Sequence, residues 1–515
     1  MFRPCRHTEE ICTLIIITML ANTLLARDYH FCSRSGRDAN DGSKAHPMQS
    51  LAKANSIVLM PGDTMLFRHG SVYSGRFKPQ GEGTRAAPVY IGTYGDKKAA
   101  RPRFNGRGRF DEAVLIYNTR YLHLQGIEIT NTGPEPQPKR RGLKIQIENY
   151  GTAQDITITN LFIHDVNGSL IKRKGGGSAI IWQNSGEDIK SRFDGLLIEN
   201  CLLKDCTRNG INSRGYTNRA DWYPSLNVVV RGNTLVGIPG DGIVPIGCDG
   251  AIIEYNVMKD CPRMLKKGDA AAGIWPWSSD NTIIQHNEVS DHKACWDGQG
   301  FDSDWNCNGT IIQYNYSHDN EGGFLLVCCN GGARESIAIN NDTIVRYNIS
   351  INDGLREVGH AAGFSPIFHI SGPVKNTRIY NNLIYVPKKP SDKIDRTIIE
   401  MDNWGGPYPE GTSFINNIVV VAEKADFDWG MSKANNFINN AYIGEFDNMP
   451  DDKQAIRTHP KFIASPIGPD GKWKPEAFRL APGSPCIDSG TIIPNNGGRD
   501  YANKLLGNQV NIGPF

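Results

Sequence analysis

Two aspartates two residues apart, Asp302 and Asp304 in Phe301-Asp302-Ser303-Asp304, follow by one sequence unit two tryptophans with the same spacing, Trp275 and Trp277. In an extended strand residues i and i+2 share a face, so each pair projects from one side, its members roughly 6.5–7 Å apart. Paired carboxylates beside indoles suit acid/base work on a sugar. One acid protonates the leaving oxygen, the other activates water or attacks directly, and the indoles cover a ring face. The spacing leans toward inversion. Asp297 in Trp296-Asp297-Gly298 and Glu321 in His318-Asp319-Asn320-Glu321 lie in adjoining turns and complete the candidate catalytic set. His318 joins Trp275 and Trp277 as a candidate substrate-binding residue. Plain turn roles compete for Asp297, Asp319 and Asp241, and a satisfied turn histidine competes at His318.

The same aspartates fit a second chemistry. Asp269, Asp297, Asp302 and Asp304 could hold a Ca²⁺ that neutralises a uronate while a lysine takes the α-proton, as a polysaccharide lyase requires. Lys266, Lys267 and Lys293 are the candidate bases, all in loops or turns. No outward Lys or Arg shares the strand with Asp302, so hydrolysis without a cofactor ranks above Ca²⁺-dependent elimination. The third reading is a non-catalytic carbohydrate-binding protein, which needs the tryptophans and no acid pair.

These residues sit in a repeat. Gly242-Ile243…Tyr255-Asn256, Gly273-Ile274…His286-Asn287, Gly300-Phe301…Tyr314-Asn315 and Gly323-Phe324…Tyr347-Asn348 each read glycine, short apolar strand, polar turn, β-branched strand, asparagine. Asparagine to asparagine the steps are 31, 28 and 33 residues. The apolar segments are too short for helices, and a period of this size means units that bury their apolar faces on one another. The expectation is an all-β chain, a right-handed parallel β-helix with asparagines stacked at one corner in left-handed backbone geometry. Aligning the copies stacks Ile243, Ile274, Phe301 and Phe324 inward and points Asp302, Asp304, Trp275 and Trp277 outward. It also leaves Leu325, Val327, Val244 and Ile246 on the outward face, so either loops cover those coils or the register there is off by one.

Composition agrees with a solenoid. Of 515 residues 55 are glycine, and the net charge of +2 is spread along the chain, which points away from nucleic acid or an anionic membrane as partner. Arg3, Arg6, the apolar run Thr13 to Leu20 and Leu24-Leu25-Ala26 read as a secretory signal, too short to span a membrane. The protein is therefore expected to be secreted or periplasmic, monomeric, and to meet a polysaccharide or oligosaccharide. Removing the signal takes Cys5 and Cys12 from the 12 cysteines. Among the rest, Cys201/Cys206, Cys295/Cys307 and Cys248/Cys261 could pair, or all could be buried thiols.

Both ends carry further signals. Ser50-Leu51-Ala52-Lys53-Ala54 reads as a short helix and Pro61-Gly62-Asp63-Thr64-Met65-Leu66-Phe67 as a turn into a strand. Near the other end stand Ala481-Pro482-Gly483-Ser484-Pro485-Cys486-Ile487-Asp488 and Gly498-Arg499-Asp500. With the repeat, these segments resemble the pectin-lyase-like superfamily of right-handed β-helices. That resemblance implies an N-terminal cap, a carbohydrate-active enzyme and, more loosely, the β-helix glycosidases of the fucosidase and xylanase group. The chain then divides into a signal (1–26), a solenoid cap (27–102), β-helix repeats (103–442) and a C-terminal closing segment (443–515).

Overall fold

A computed structural model describes residues 26–329 and 339–515, so the reading of 1–26 as a signal, with Cys5 and Cys12, lies outside the described residues except at its last position. The chain winds as a right-handed parallel β-helix whose coils stack three parallel sheets. One long sheet runs from Asp28–Phe31 to Asn436–Ile438 and a second from Val72–Ser74 to Ala441–Ile443. A third is written in two five-stranded halves, Glu112–Tyr117 to Ile243–Val244 and Phe301–Ser303 to Asp426–Asp428. Backbone bridges Ile243↔Ile274 and Ile274↔Phe301 join the halves. Alternation builds the core: Ile253, Ile284, Ile312 and Val345 point inward, and the strand neighbours of Ile253 and Ile284 stay partly exposed. The expected helix is present at Leu51–Asn55, capped by the Ser50 hydroxyl accepting from Lys53 N.

The asparagine ladder occupies the corner between the first and second sheets. Asn256 Nδ2 donates to Asn287 Oδ1 at 3.0 Å, Asn287 to Asn315 at 3.0 Å, and Asn315 to Asn348 at 3.0 Å. The same Oδ1 accepts the backbone N–H of the preceding asparagine, and Nδ2 also reaches a strand carbonyl, as in Asn256 to Val230 O at 2.9 Å. The series begins at Asn233, continues through Asn382, Asn417 and Asn440, and ends on the Asp452 carboxylate. One expectation needs correcting. The left-handed residue is not the ladder asparagine but the one before it: Tyr255, His286, Tyr314, Tyr347, Asn381, Asn416 and Asn439, with φ from 50° to 60°. Asn160 and Asn200, also left-handed, belong to that preceding position. Their side chains point outward, where Tyr255, His286 and Tyr314 stack with ring centroids 4.8 and 5.0 Å apart.

The ends differ from the sequence division. Strands of both long sheets already occur at Thr64–Arg68, Val72–Ser74 and Val89–Tyr94, so coils begin inside the segment read as a cap. The last segment runs back along the outside instead of closing the end. Phe478, Cys486 and Ile512 pack on Ile349, Leu383 and Ile418 of the second sheet. Asn439 donates to Ser489 O, Asn416 to Thr491 O at 2.8 Å, Asn381 to Asn511 O at 2.9 Å, Arg346 to Asn495 O at 2.8 Å and Tyr314 OH to Arg499 O at 3.0 Å. Cys201, Cys206, Cys248, Cys261, Cys295 and Cys307 are free and buried, so none of the three candidate pairs forms a disulfide. Among the described residues no helix is long and apolar enough to cross a membrane.

Replacing Asn315 by alanine deletes two donors and the acceptor serving Asn287, leaving that buried N–H unpaired. Urea unfolding is expected to show a loss of about 3 kcal/mol or more, because each stranded buried group costs roughly 1–3 kcal/mol.

Candidate functional site

The third sheet presents two outward columns of side chains, set by strand pairing. One carries Ile181, Asn212, Val244, Trp275, Asp302 and Leu326, the other Arg214, Ile246, Trp277, Asp304 and Cys328. Hydrogen bonds from Asp302 N to Ile274 O (3.1 Å) and from Asp304 N to Pro276 O (3.3 Å) place each aspartate one coil beyond a tryptophan. These columns form the floor of a cavity of about 730 Å³. Loops from distant sequence wall it: Lys172 and Gly176 from one coil, Trp296 and Asp297 from another, Trp404 from a third.

The apolar floor residues settle the register question in two ways. Val244 and Ile246 do face outward and line the cavity. In the last copy the register slips by one: Phe301 pairs with Leu325, not Phe324, so Leu326 and Cys328 face the cavity while Leu325 and Val327 lie in the core. Phe324 takes the corner held by glycine in earlier copies, where at Gly300 a Cβ would meet Ser317 Oγ at 2.5 Å.

Four carboxyl groups line the cavity, and its electrostatics follow from their burial. Asp302, 4% exposed, is pushed well above the usual carboxylate range by burial and then by Asp304 and Asp297. One of its oxygens has no hydrogen-bond partner. Burial lifts Asp304 to about 6, restrained by the Cys328 thiol, 3.2 Å from Oδ1, and by the Trp305 N–H at 2.7 Å. Burial also raises Asp297, against the opposing influence of Lys172, Arg356 and His369. Asp241 behaves oppositely: burial disfavours its charge, but Lys172 at 3.6 Å and Arg208 at 2.5 Å outweigh it and hold the carboxyl below its ordinary value.

Comparison with known proteins places this geometry. A family model described as "Right handed beta helix region" matches residues 191–442. The chain is a right-handed parallel β-helix, as that match and its stacked parallel sheets show. Lacto-N-biosidase of Bifidobacterium longum subsp. longum is 26% identical, the alignment covering 94% of this chain and 36% of that protein. The crystal structure of the GH136 lacto-N-biosidase from Eubacterium ramulus superposes with a TM-score of 0.54 at 26% identity, covering 69% of this chain and 64% of that one. The β-helix thus spans about a third of the bifidobacterial protein and less than two thirds of the Eubacterium one. XylC in complex with xylose, 13% identical with a TM-score of 0.53 over 95% of this chain and 98% of that one, shares the fold.

Of the residues singled out in the sequence, the β-helix gathers Asp241, Asp297, Asp302, Asp304, Trp275 and Trp277 on the cavity. Trp275 is only 6% exposed, and the Lys172 ammonium lies 5.0 Å from its ring centroid, so that indole face is already covered. Trp277 packs edge-on to Trp305. His318 and Glu321 do not line the cavity. His318 stands on the second sheet, bonded to Asp319 at 2.7 Å and Glu288 at 3.4 Å, and these carboxylates raise it to about 9 against its burial. Glu321 is held by Arg263. Asp269 accepts from Lys172 N at 3.1 Å outside the cavity wall, so the four acids of the calcium reading are not brought together. Among the described residues no group of three or more His, Cys, Asp or Glu is spaced to hold a metal ion. Lys266, Lys267 and Lys293 do not line the cavity either. The cations that do, Lys172, Arg141 and Arg214, carried no local signal in the sequence.

The raised carboxyls have a stability consequence. A carboxyl whose folded pKa exceeds its unfolded one binds protons on folding, so its contribution is present at low pH and lost as pH rises through the folded value. For Asp304 that window runs from the ordinary 3.8 to about 6. Asp304→Asn is therefore expected to be more stable than wild type at pH 7 and equal to it near pH 3, with a gain of up to about 3 kcal/mol. Thermal melts across this range measure it.

Proposed function

We propose that this chain is a glycoside hydrolase in which Asp304 donates the proton to the leaving oxygen and Asp297 supplies the ionised carboxylate. The observation that carries the reading is three carboxyls tuned by burial on the wall of one tryptophan-lined cavity. Cleavage needs one acid protonated and one ionised near neutral pH. Asp304, lifted to about 6, can hold and release a proton there. Asp297 has the counter-charges, Lys172 and Arg356, that let a buried carboxylate keep its charge. Asp302, lifted furthest, stays protonated and meets the sugar as an O–H donor.

The substrate class follows from similarity to the two lacto-N-biosidases: a lacto-N-bioside. The cavity volume lies in the range of about 300–1,000 Å³ that encloses small ligands, which suits a disaccharide unit. Export of the chain, suggested by its first residues, would place it where such glycans occur.

Hydrolysis of a chromogenic lacto-N-bioside tests this. Asp304→Asn and Asp297→Asn are each expected to lower kcat by roughly 10²-fold or more, the size of an acid/base contribution. Asp302→Asn, which keeps a donor, should cost much less. Proton NMR of the first-formed anomer reads whether Asp297 attacks directly or through water. Equal activity of all three variants would place the chemistry elsewhere, and ultraviolet-absorbing unsaturated products would make the enzyme a lyase.

Cys328 offers a finer test. Its thiol donates to Asp304 and lowers that carboxyl's pKa. Cys328→Ala is expected to shift the alkaline limb of the kcat/KM profile upward, because a proton donor with a higher pKa stays protonated to higher pH. Cys328→Ser, which keeps the donor, should restore the limb.

A further inference from the structure

The end of the cavity away from the raised carboxyls carries the opposite charge, and among the described residues no side chain bonds to its cations. Arg141 lines the cavity, is 5% exposed, and has no hydrogen bond or ion pair from its guanidinium among the described residues. Lys144, three residues on, faces outward in the column of Ile181 and is likewise without a partner. Arg214, two coils away, lines the cavity, is exposed and has none either. Burial and then Arg214 lower Arg141 to about 10, and burial and then Arg141 lower Lys144. Glu112 and Asp111 attract Arg141, and Glu112 and Glu148 attract Lys144, but none of them bonds to either cation. Glu112 is engaged by Arg76 at 3.1 Å, and Glu148 accepts from the Tyr117 hydroxyl at 3.3 Å and from Gln146 at 3.3 Å.

A buried guanidinium is costly to keep unless something pairs with it, and three mutually repelling cations on one wall raise that cost. Elsewhere this chain pairs its buried arginines. Arg208 binds Asp241 and the Ala270 carbonyl, and Arg356 binds the Phe364 carbonyl. Arg141 is thus an arginine left with its donors free at a place a ligand can reach.

We propose that Arg141, Lys144 and Arg214 form an anion subsite, and that the glycan this protein takes carries a carboxylate or sulfate at that end. The flat guanidinium fork of Arg141 matches the paired oxygens of either group. Arg214 lies three coil steps from Asp304, through Ile246 and Trp277, or roughly 14 Å at the spacing of parallel strands. The acid group therefore sits a few sugar rings from the bond that is cut, and selects the substrate without touching the reacting atoms. This deepens the glycosidase reading by naming a substrate feature, yet the site can be tested without hydrolysis.

Titration calorimetry of the full chain with galacturonate, N-acetylneuraminate, galactose 6-sulfate and galactose is the experiment. At low salt at least one acidic sugar is expected to bind at least about tenfold tighter than galactose, the worth of charge-assisted hydrogen bonds, and added salt should erode the difference. The first two sugars against the third tell carboxylate from sulfate. Arg141→Gln and Arg214→Gln should each abolish the preference. Arg141→Gln should melt no lower than wild type, since it removes an unpaired buried charge, and Arg214→Gln, at an exposed position, provides a second folded variant. The subsite is overturned if no acidic sugar outbinds galactose, or if both variants keep the preference. Failure to hydrolyse a neutral lacto-N-bioside would instead count against the glycosidase reading alone.

Discussion

The hydrogen-bonded column of asparagine side chains is the constraint on which the rest rests. Each amide in it joins one coil to the next through a backbone N–H, a carbonyl and another amide, in an interior where an unmade bond is expensive. Sliding one coil by a residue would strand several such groups at once. The column therefore fixes register between the coils from Asn233 to Asn440, at the corner of the first two sheets. Register in turn decides which side chains of the third sheet face the cavity, since a slip of one residue turns every side chain to the other face.

That dependence explains what could be read in the sequence. Alternation within Phe301 to Asp304, and the matching Ile274 to Trp277, is local, and it carried both aspartates and both tryptophans to one face correctly. The slip at Phe324 was hidden because Gly323 imitates the glycine of the earlier copies, and only packing against the neighbouring coil distinguishes them. His318 and Glu321 lie close to the aspartates in sequence but past the next corner, so proximity along the chain misled. Arg141, Lys172 and Trp404 could not be found this way at all. They enter the cavity from coils far apart in sequence, and no periodic pattern reports where a loop returns.

The cavity spends stability to hold its charges. Three carboxyls sit where burial disfavours ionisation, one end collects unpaired cations, and the Lys172 ammonium rests on Trp275 between them. Natural sequences break the rules of polar satisfaction chiefly where function requires it. Here Arg141, Trp275 and Asp302 each keep an unpartnered buried polar atom on that wall, while the ladder asparagines of Asn256 to Asn348 are bonded from coil to coil.

The segment that runs back along the outside alters how the molecule comes apart. A solenoid whose coils touch only their neighbours frays from its ends, one coil at a time. Here the chain after Ser489 grips the coils of Asn439, Asn416, Asn381, Arg346 and Tyr314 in turn. None of these coils can peel away while the others hold. The C-terminal half is thereby converted from a row of nearly independent units into one cooperative block, and opening starts at the other end of the solenoid.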